Sequence, residues 1–131
     1  MGLSENEIAR IAVDAMVLVH RELGPGLLES SYQRCLAFEL DERGLAVETE
    51  VVLPLTFKGV KLDAGYRIDL WIERKVILEV KSVEALHSIH TAQLLTYLKL
   101  TDNRLGLLVN FNEKLVRDGI KRVVNGLSEK H

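Results

Sequence analysis

The feature that most constrains this chain is the stretch of residues 66–81, in which two apolar runs flank the charged turn Glu73-Arg74-Lys75. Apolar runs on either side of a short charged turn are typical of a β-hairpin. Three residues in these runs carry charges that a buried strand normally lacks: Asp69, Glu79 and Lys81. Because side chains alternate between the two faces of a strand, Glu79 and Lys81 share one face, and folding the hairpin about its turn brings Asp69 nearly opposite Glu79. The sequence therefore predicts two carboxylates and one ammonium group converging on an apolar sheet.

Composition limits the classes of protein that the chain can represent. A hydrophobic content of 47% in 131 residues predicts one domain over residues 1–131, with a core at about 4–124 and a frayed polar tail at 125–131. The net charge of −2 excludes a generally basic nucleic-acid coat protein. The single cysteine, Cys35, excludes an internal disulfide, and we expect it to be a small core residue. Charges interrupt the apolar segment 8–19, which predicts no signal peptide and no membrane span, and indicates the cytoplasm.

The remainder of the chain predicts an α/β fold with a mixed sheet. Helical periodicity predicts helices at residues 4–23, 27–43 and 89–100. Further strands are predicted at residues 47–57 and 104–111, with a turn at 58–61, and residues 119–124 fit either a strand or a short helix. The order is α-α-β-β-β-α-β with a possible extra C-terminal strand. A helix between the third and fourth strands allows a crossover that makes these two strands parallel.

Two interpretations of the charged cluster follow from the residues alone. In the first, Lys81 pairs with Glu79 or Asp69 on a solvated face, and the cluster is an ordinary salt-bridge network. Two like charges at ~4 Å repel by roughly 4 kcal/mol at an effective dielectric of about 20, however, and one lysine offsets only part of this repulsion. In the second, a divalent cation such as Mg²⁺ binds the carboxylates together with the Val80 backbone carbonyl. Glu29 would add a further negative charge, and a further metal ligand, if it also points inward.

The second interpretation predicts a phosphodiesterase. A bound Mg²⁺ or Mn²⁺ would polarise the scissile phosphate and lower the pKa of a bound water, and Lys81 would orient that water or stabilise charge in the transition state. Gln93 and Tyr97 are four residues apart on one helix face, so they either approach the substrate or form an ordinary packing face. The helix dipole favours an acid such as Glu29 in a first turn, so the residues alone leave its role open.

The histidines do not predict a zinc site. His87 and His90 are three residues apart, but no third ligand follows at the usual spacing. Zinc sites normally need three or four protein ligands, and the chain has a single cysteine to contribute. Magnesium or manganese therefore remains the predicted metal.

These motifs, in their order along the chain, resemble the GxxExxY protein family, a branch of the PD-(D/E)xK nuclease superfamily. The naming motif is Gly26-Leu27-Leu28-Glu29-Ser30-Ser31-Tyr32. The other matching segments are Tyr66-Arg67-Ile68-Asp69-Leu70, Glu79-Val80-Lys81, Gln93-Leu94-Leu95-Thr96-Tyr97-Leu98 and Leu105-Gly106-Leu107-Leu108-Val109-Asn110-Phe111. The resemblance extends from about residue 8 to residue 124 and therefore covers nearly the whole chain.

The resemblance implies a restriction-endonuclease-like core with a defined set of site residues. Asp69, Glu79 and Lys81 would form the active-site trio, with Glu29 as an acidic helper from an N-terminal helix. Gln93 and Tyr97 match the QxxxY element of RecB-like members of the superfamily. The chain departs from these relatives in two respects: the cysteines that hold an iron–sulfur cluster are absent, and Ile68 replaces the proline of the superfamily's name.

The implied activity is that of a Mg²⁺- or Mn²⁺-dependent nuclease that acts on DNA in preference to RNA. The nearby cations Arg67, Lys58, Lys61 and Lys99 would contact phosphates. The alternative is a catalytically weak or inactive protein with the nuclease fold, acting as a nucleic-acid-binding or accessory protein. A homodimer is compatible with the sequence, because one small domain would reach only one strand of a duplex.

Overall fold

The computed structural model describes residues 2–127 of the chain. Three α-helices and seven β-strands follow one another along this part, with a short 3₁₀ helix at Val116–Gly119 before the last strand. The helices are α1 (Glu5–Leu23), α2 (Glu29–Glu42) and α3 (Ser88–Thr101). The strands are β1 (Val47–Val52), β2 (Leu55–Phe57), β3 (Val60–Leu62), β4 (Arg67–Ile72), β5 (Val76–Lys81), β6 (Leu105–Asn110) and β7 (Ile120–Val124).

Five of the strands form one mixed sheet in the order β1-β4-β5-β6-β7. Strands β5 and β6 are parallel, with α3 as the crossover between them, and the other neighbouring pairs are antiparallel. The predicted parallel pair and the predicted mixed α/β sheet are therefore confirmed. The β4–β5 hairpin turns at residues 73–75, as the charged turn predicted.

Helices cover both faces of the sheet, and strand alternation determines which side chains each face buries. Leu78 and Val80 lie in the core cluster that contains the buried residues of α1 and α2. Ile77 lies in the second cluster, with Leu94 and Leu98 of α3. Because successive residues point to opposite faces, Glu79 shares the α3 side of the sheet with Ile77.

The starts of the first two helices follow from local sequence. The hydroxyl of Ser4 accepts a hydrogen bond from the Glu7 backbone N–H (3.1 Å), and the Glu7 carboxylate accepts one from the Ser4 N–H (2.9 Å). This reciprocal capping box starts α1 at Glu5. Helix α2 begins two residues later than the predicted residue 27, because Leu28 is still extended, with φ −69° and ψ 149°.

The predicted strand at residues 47–57 is wrong, because it is two strands. Strand β1 ends at Val52, and β2 begins at Leu55 in a separate two-stranded sheet with β3. The Leu53 N–H donates to the Tyr66 carbonyl (3.0 Å), while Pro54 has no N–H with which to continue the ladder. The predicted turn at 58–61 is correspondingly shorter, since β3 already begins at Val60.

Two further predictions can be compared with the structure. Residues 119–124, for which the sequence left a strand or a short helix open, include strand β7 at the edge of the main sheet. Cys35 is exposed, so its prediction as a core residue is wrong; Tyr32 and Leu36 occupy the buried side of α2.

The predicted tail continues beyond Leu127 into residues 128–131, which lie outside the described part. None of the helices within residues 2–127 is long and apolar enough to cross a membrane.

Candidate active site

Two acidic side chains meet where strands β4 and β5 separate. The last residue pair of their ladder is Leu70 with Leu78, and Asp69 and Glu79 come directly after it. The Val80 N–H donates to Asp69 Oδ2 (2.8 Å), and the Asp69 N–H donates to Glu79 Oε2 (3.0 Å). The sequence placed these two carboxylates opposite each other, and the structure brings them together. Each carboxylate thus accepts a hydrogen bond from a backbone N–H of the opposite strand, where backbone pairing between the two strands has ended.

Both carboxylates are electrostatically unfavourable in their anionic form. Burial is the main cause of the raised pKa of Asp69, about 6, and Glu79, which is 5% exposed, has a pKa raised to about 8 by burial and by the charge of Asp69. Glu50 of β1 also raises both pKa values. The remaining oxygens, Asp69 Oδ1 and Glu79 Oε1, have no hydrogen-bond partner among residues 2–127. No buried side-chain oxygen of these residues lacks a partner, so both atoms are open to solvent. When both carboxylates are ionised, the pair thus has excess negative charge, and it leaves two acceptor atoms free.

Lys81 lies near the carboxylates without being neutralised by them. It is the last residue of β5 and is half-buried, and its charge lowers the pKa of both Asp69 and Glu79. Within the described part of the chain, no ion pair at salt-bridge distance joins Lys81 to either acid. The interpretation as a closed salt-bridge network is therefore wrong for this geometry.

Glu29 reaches the same end of the sheet from the first residue of α2. Its Oε2 accepts a hydrogen bond from the Ser82 backbone N–H (3.2 Å), and the Ser82 hydroxyl donates to the Leu27 carbonyl (2.7 Å). The charge of Glu29 contributes to the raised pKa of Asp69. Two hydrogen bonds thus join the start of α2 to Ser82, the residue after Lys81. These bonds place Glu29 beside the acidic cluster.

Tyr32 positions the segment in front of Glu29, a role that the sequence analysis missed. Its fully buried ring stacks on Phe111, with centroids 4.5 Å apart and planes inclined by 7°. Its hydroxyl donates to the Gly24 carbonyl and accepts from the Leu27 N–H (3.1 Å). The tyrosine of the Gly-x-x-Glu-x-x-Tyr motif therefore holds the loop that delivers Glu29. The spacing of the motif was the signal for this role.

Asn110 fixes the segment that follows Lys81 and was also missed. It is fully buried at the end of β6. Its Nδ2 donates to the Val83 carbonyl (2.9 Å), and its Oδ1 accepts from the N–H groups of Val83 (3.1 Å) and Asn112 (3.2 Å). The Asn110 amide therefore bonds to both backbone polar groups of Val83, as the backbone of a neighbouring strand does in a sheet. A polar residue at the end of a wholly apolar strand was the available signal.

Helix α3 brings Gln93 and Tyr97 to the carboxylate side of the sheet. Gln93 Nε2 donates to Tyr97 Oη (3.1 Å). Burial, followed by the charges of Glu79 and Asp69, raises the pKa of Tyr97 to about 12. The ring of Tyr66, just before β4, meets the ring of Tyr97 edge-on at 6.1 Å. The two predicted helix residues therefore contact each other, and Tyr97 lies within electrostatic reach of both acids.

His90 is a further neighbour of the cluster, although the sequence analysis considered it only as a zinc ligand. Burial, followed by the charge of Lys81, lowers its pKa, while the charge of Glu29 opposes this shift. Its Nδ1 accepts a hydrogen bond from the His87 backbone N–H (3.1 Å) at the start of α3. Its position one helical turn before Gln93 was visible in the sequence.

The donor set of this cluster suits a hard divalent cation. Within residues 2–127, no three side chains of His, Cys, Asp or Glu converge closely enough to hold a metal ion by themselves. Asp69 and Glu79 thus form a pair, not a triad with Glu29. One or two carboxylates, completed by water and substrate oxygens, are the usual protein ligands of Mg²⁺. The two free carboxylate oxygens and the excess negative charge fit this pattern.

Comparison with known proteins points to one superfamily. The model of a family described as belonging to the PD-(D/E)XK nuclease superfamily matches residues 6–123. This match supports a restriction-endonuclease-like fold, a nuclease-type phosphodiesterase and a nucleic-acid substrate. No curated protein and no solved structure matches the chain at a significant level.

Proposed function

The chain belongs to the PD-(D/E)XK nuclease superfamily, and we propose that it is a Mg²⁺- or Mn²⁺-dependent nuclease that hydrolyses phosphodiester bonds in DNA in preference to RNA. Within the superfamily we assign it to the GxxExxY family and the RecB-like branch, on the motif that ends at Tyr32 and on Gln93 and Tyr97. We treat residues 1–131 as a single nuclease-like domain, and a homodimer would let two sites address the two strands of a duplex.

The observation that carries this proposal is the Asp69–Glu79 pair, in which Glu79 is buried and Asp69 is half-buried. Two partly desolvated carboxylates whose pKa values are both raised are costly to the fold as anions. Each leaves one oxygen free for a cation, because a backbone N–H occupies the other. Asp69, Glu79 and the Val80 carbonyl would hold Mg²⁺ or Mn²⁺, with Glu29 as an acidic helper. When bound, the metal supplies Lewis-acid polarisation of a phosphate and lowers the pKa of a coordinated water.

The other residues of the cluster have roles that follow from their charge and hydrogen bonds. Lys81 has a cationic amine with no ion-pair partner among the described residues, so it can donate to the attacking water or to a phosphate oxygen. Tyr97 stays protonated at neutral pH, because its pKa is about 12. Since its oxygen accepts from Gln93, its own O–H can donate to the substrate backbone. The two side chains would orient the strand and not transfer protons.

Cleavage assays with isosteric variants test the proposal. The purified protein is incubated with linear, circular and single-stranded DNA in Mn²⁺, alongside Asp69→Asn and Glu79→Gln. Both variants keep a side-chain oxygen that can accept the backbone hydrogen bond, so they remove charge with little change in the fold. We expect each to lose at least about 100-fold in rate. Asp41→Asn, an exposed acid on α2, is the matched control and should cleave like wild type.

Calorimetry separates the nuclease from the alternative function. We expect Mn²⁺ to bind wild type with measurable heat and Asp69→Asn to lose that binding. Cleavage that is unchanged in Asp69→Asn contradicts the proposal. Nucleic-acid binding that needs no metal, persists in Glu79→Gln and leads to no cleavage would instead identify a binding or accessory protein with the nuclease fold.

A further inference from the structure

The β2–β3 hairpin stands apart from the rest of the molecule. Its two strands pair with each other and form a sheet separate from the five-stranded one. All six strand residues are exposed. The hairpin is closed at its base by the bond from the Leu53 N–H to the Tyr66 carbonyl. It is therefore a projecting arm, not part of the core.

One face of this arm is apolar and uncovered. The register pairs Leu55 with Leu62 and Phe57 with Val60, so these four side chains share a face, while Thr56 and Lys61 lie on the other. The exposed fractions are 37% for Leu55, 60% for Phe57, 56% for Val60 and 46% for Leu62. None of the four belongs to the core clusters of the described residues. A contiguous apolar face of this kind marks a binding surface.

The arm also carries positive charge. Residues 55–62 contain Lys58 and Lys61 and no acid, in a chain whose net charge is −2. Lys58 and Gly59 have φ of 51° and 77°, so the turn places a lysine at its tip in a conformation that usually takes asparagine or glycine. The Lys58 amine lies 5.6 Å from the centroid of the Phe57 ring. An ammonium group and an exposed aromatic ring are thus presented side by side.

The arm projects from the end of the sheet that holds the candidate site. It connects the end of β1 to the start of β4, and Asp69 is the third residue of β4. At its base, Tyr66 contacts Tyr97, which accepts the hydrogen bond from Gln93. A strand lying along the arm would therefore lead toward the two carboxylates.

We propose that the β2–β3 hairpin is an arm that binds unpaired nucleotides of the strand entering the site. Aromatic and apolar side chains stack on base faces, and adjacent lysines contact the backbone phosphates. A fully paired duplex presents phosphates and the polar edges of its bases, which do not match an apolar face of four side chains. The chemistry of the arm therefore favours bases that have left the helix. This inference rests on the proposed function for the reaction that follows binding.

Binding measurements on variants of the arm test this proposal. Fluorescence anisotropy compares a short single-stranded oligothymidylate with a blunt duplex, and all proteins carry Asp69→Asn so that cleavage is suppressed. We expect Phe57→Ala to weaken single-strand binding by about five- to a hundredfold and duplex binding much less. Replacing Lys58 and Lys61 by alanine should lower the salt dependence of binding by about one to two ions.

Matched variants remove the same groups elsewhere on the surface. Phe38→Ala removes an exposed ring from α2, and Lys121→Ala removes an exposed lysine from β7 at the opposite edge of the sheet. Both should bind the oligothymidylate like the parent protein. Circular dichroism and thermal midpoints should match those of the Asp69→Asn parent in every variant, because all the side chains replaced in addition are exposed.

Three results would refute the proposal that the arm binds unpaired nucleotides. The first is equal single-strand affinity with and without Phe57, and the second is no single-strand binding by the parent protein. The third is a wild-type dimer in sedimentation that Phe57→Ala dissociates, which would show that a second copy covers the face. Cleavage by wild type is measured separately. If wild type cleaves DNA but Phe57→Ala binds the single strand with unchanged affinity, only the proposal for the arm is refuted. If binding depends on Phe57 but wild type does not cleave, the nuclease proposal is refuted and the proposal for the arm stands.

Discussion

Replacing Gly106 by alanine should show how tightly α3 is seated on the sheet. A Cβ at this position of β6 would lie 2.8 Å from Leu94 Cδ1 and 3.0 Å from Leu94 Cγ and Cδ2. Favourable carbon–carbon contacts are about 3.5–4.0 Å, so the helix or the leucine must give way by about 1 Å. Leu94 is fully buried, which leaves it little room to change rotamer. We expect Gly106→Ala to cost about 1–3 kcal/mol of unfolding free energy, measured by urea denaturation.

The same displacement should reach the candidate site. Helix α3 carries Gln93 directly before Leu94 and Tyr97 three residues after it, so moving the helix changes where their polar groups lie. We expect Gly106→Ala to lower the rate of DNA cleavage at a temperature where the variant is still fully folded. Circular dichroism at that temperature is the control for folding.

A double-mutant cycle with Leu94→Ala decides whether the contact between the new Cβ and Leu94 causes the loss of stability in Gly106→Ala. Leu94→Ala alone should cost about 2–5 kcal/mol, because it leaves a cavity in the core. It also removes the three atoms nearest to the new Cβ. In this background Gly106→Ala should cost close to nothing, which corresponds to a coupling of about 1–3 kcal/mol. Equal costs of Gly106→Ala in both backgrounds would refute the steric explanation.

Three further predictions concern the site and its supports. Tyr32→Phe removes the hydroxyl that bonds Gly24 and Leu27, and should cost about 1–3 kcal/mol in urea unfolding and reduce cleavage through the displaced Glu29. Asn110→Ala leaves the Val83 backbone without its side-chain partner, and should show faster hydrogen exchange at the Val83 amide than wild type. Because the pKa of Glu79 is raised from 4.5 to about 8, its contribution to the stability of the metal-free protein should be fully present below about pH 4.5 and be lost as the pH rises to about 8. Glu79→Gln and added Mn²⁺ should each reduce this loss in thermal melts.

The main sheet was predictable because its strands have strong local patterns. The runs that became β4, β5 and β6 are apolar, and a helical segment of suitable length separates the last two, so the hairpin and the parallel pair follow from local sequence. The β2–β3 hairpin was not predicted. Leu55, Phe57, Val60 and Leu62 have the residue types of a buried strand, and their exposure is a property of the assembled fold.

The predictability of the candidate site divides in the same way. Strand alternation predicted the approach of Asp69 and Glu79, because both lie on one hairpin. The bond from Ser82 to Glu29 spans 53 residues and could not be read from local sequence. Glu50 and His90 were missed because their effect on the cluster comes from strands and helices that meet only in the folded chain. Local patterns identified the acids, whereas the supporting residues required the tertiary structure.

The reciprocal bonds between the two acids and the backbone also affect how relatives of this chain should be judged. A descendant that no longer cleaves nucleic acid would still need acceptors for the N–H groups of Asp69 and Val80 at the point where the strands part. Selection for folding alone would then favour a hydrogen-bond acceptor at these two positions, and Asn or Gln would provide one without the cost of a buried anion. A retained polar side chain in a homologue is therefore weak evidence of turnover. Lys81 donates no side-chain hydrogen bond within the described residues, so the fold gives no comparable reason to keep it, and its loss is the clearer mark of an inactive lineage.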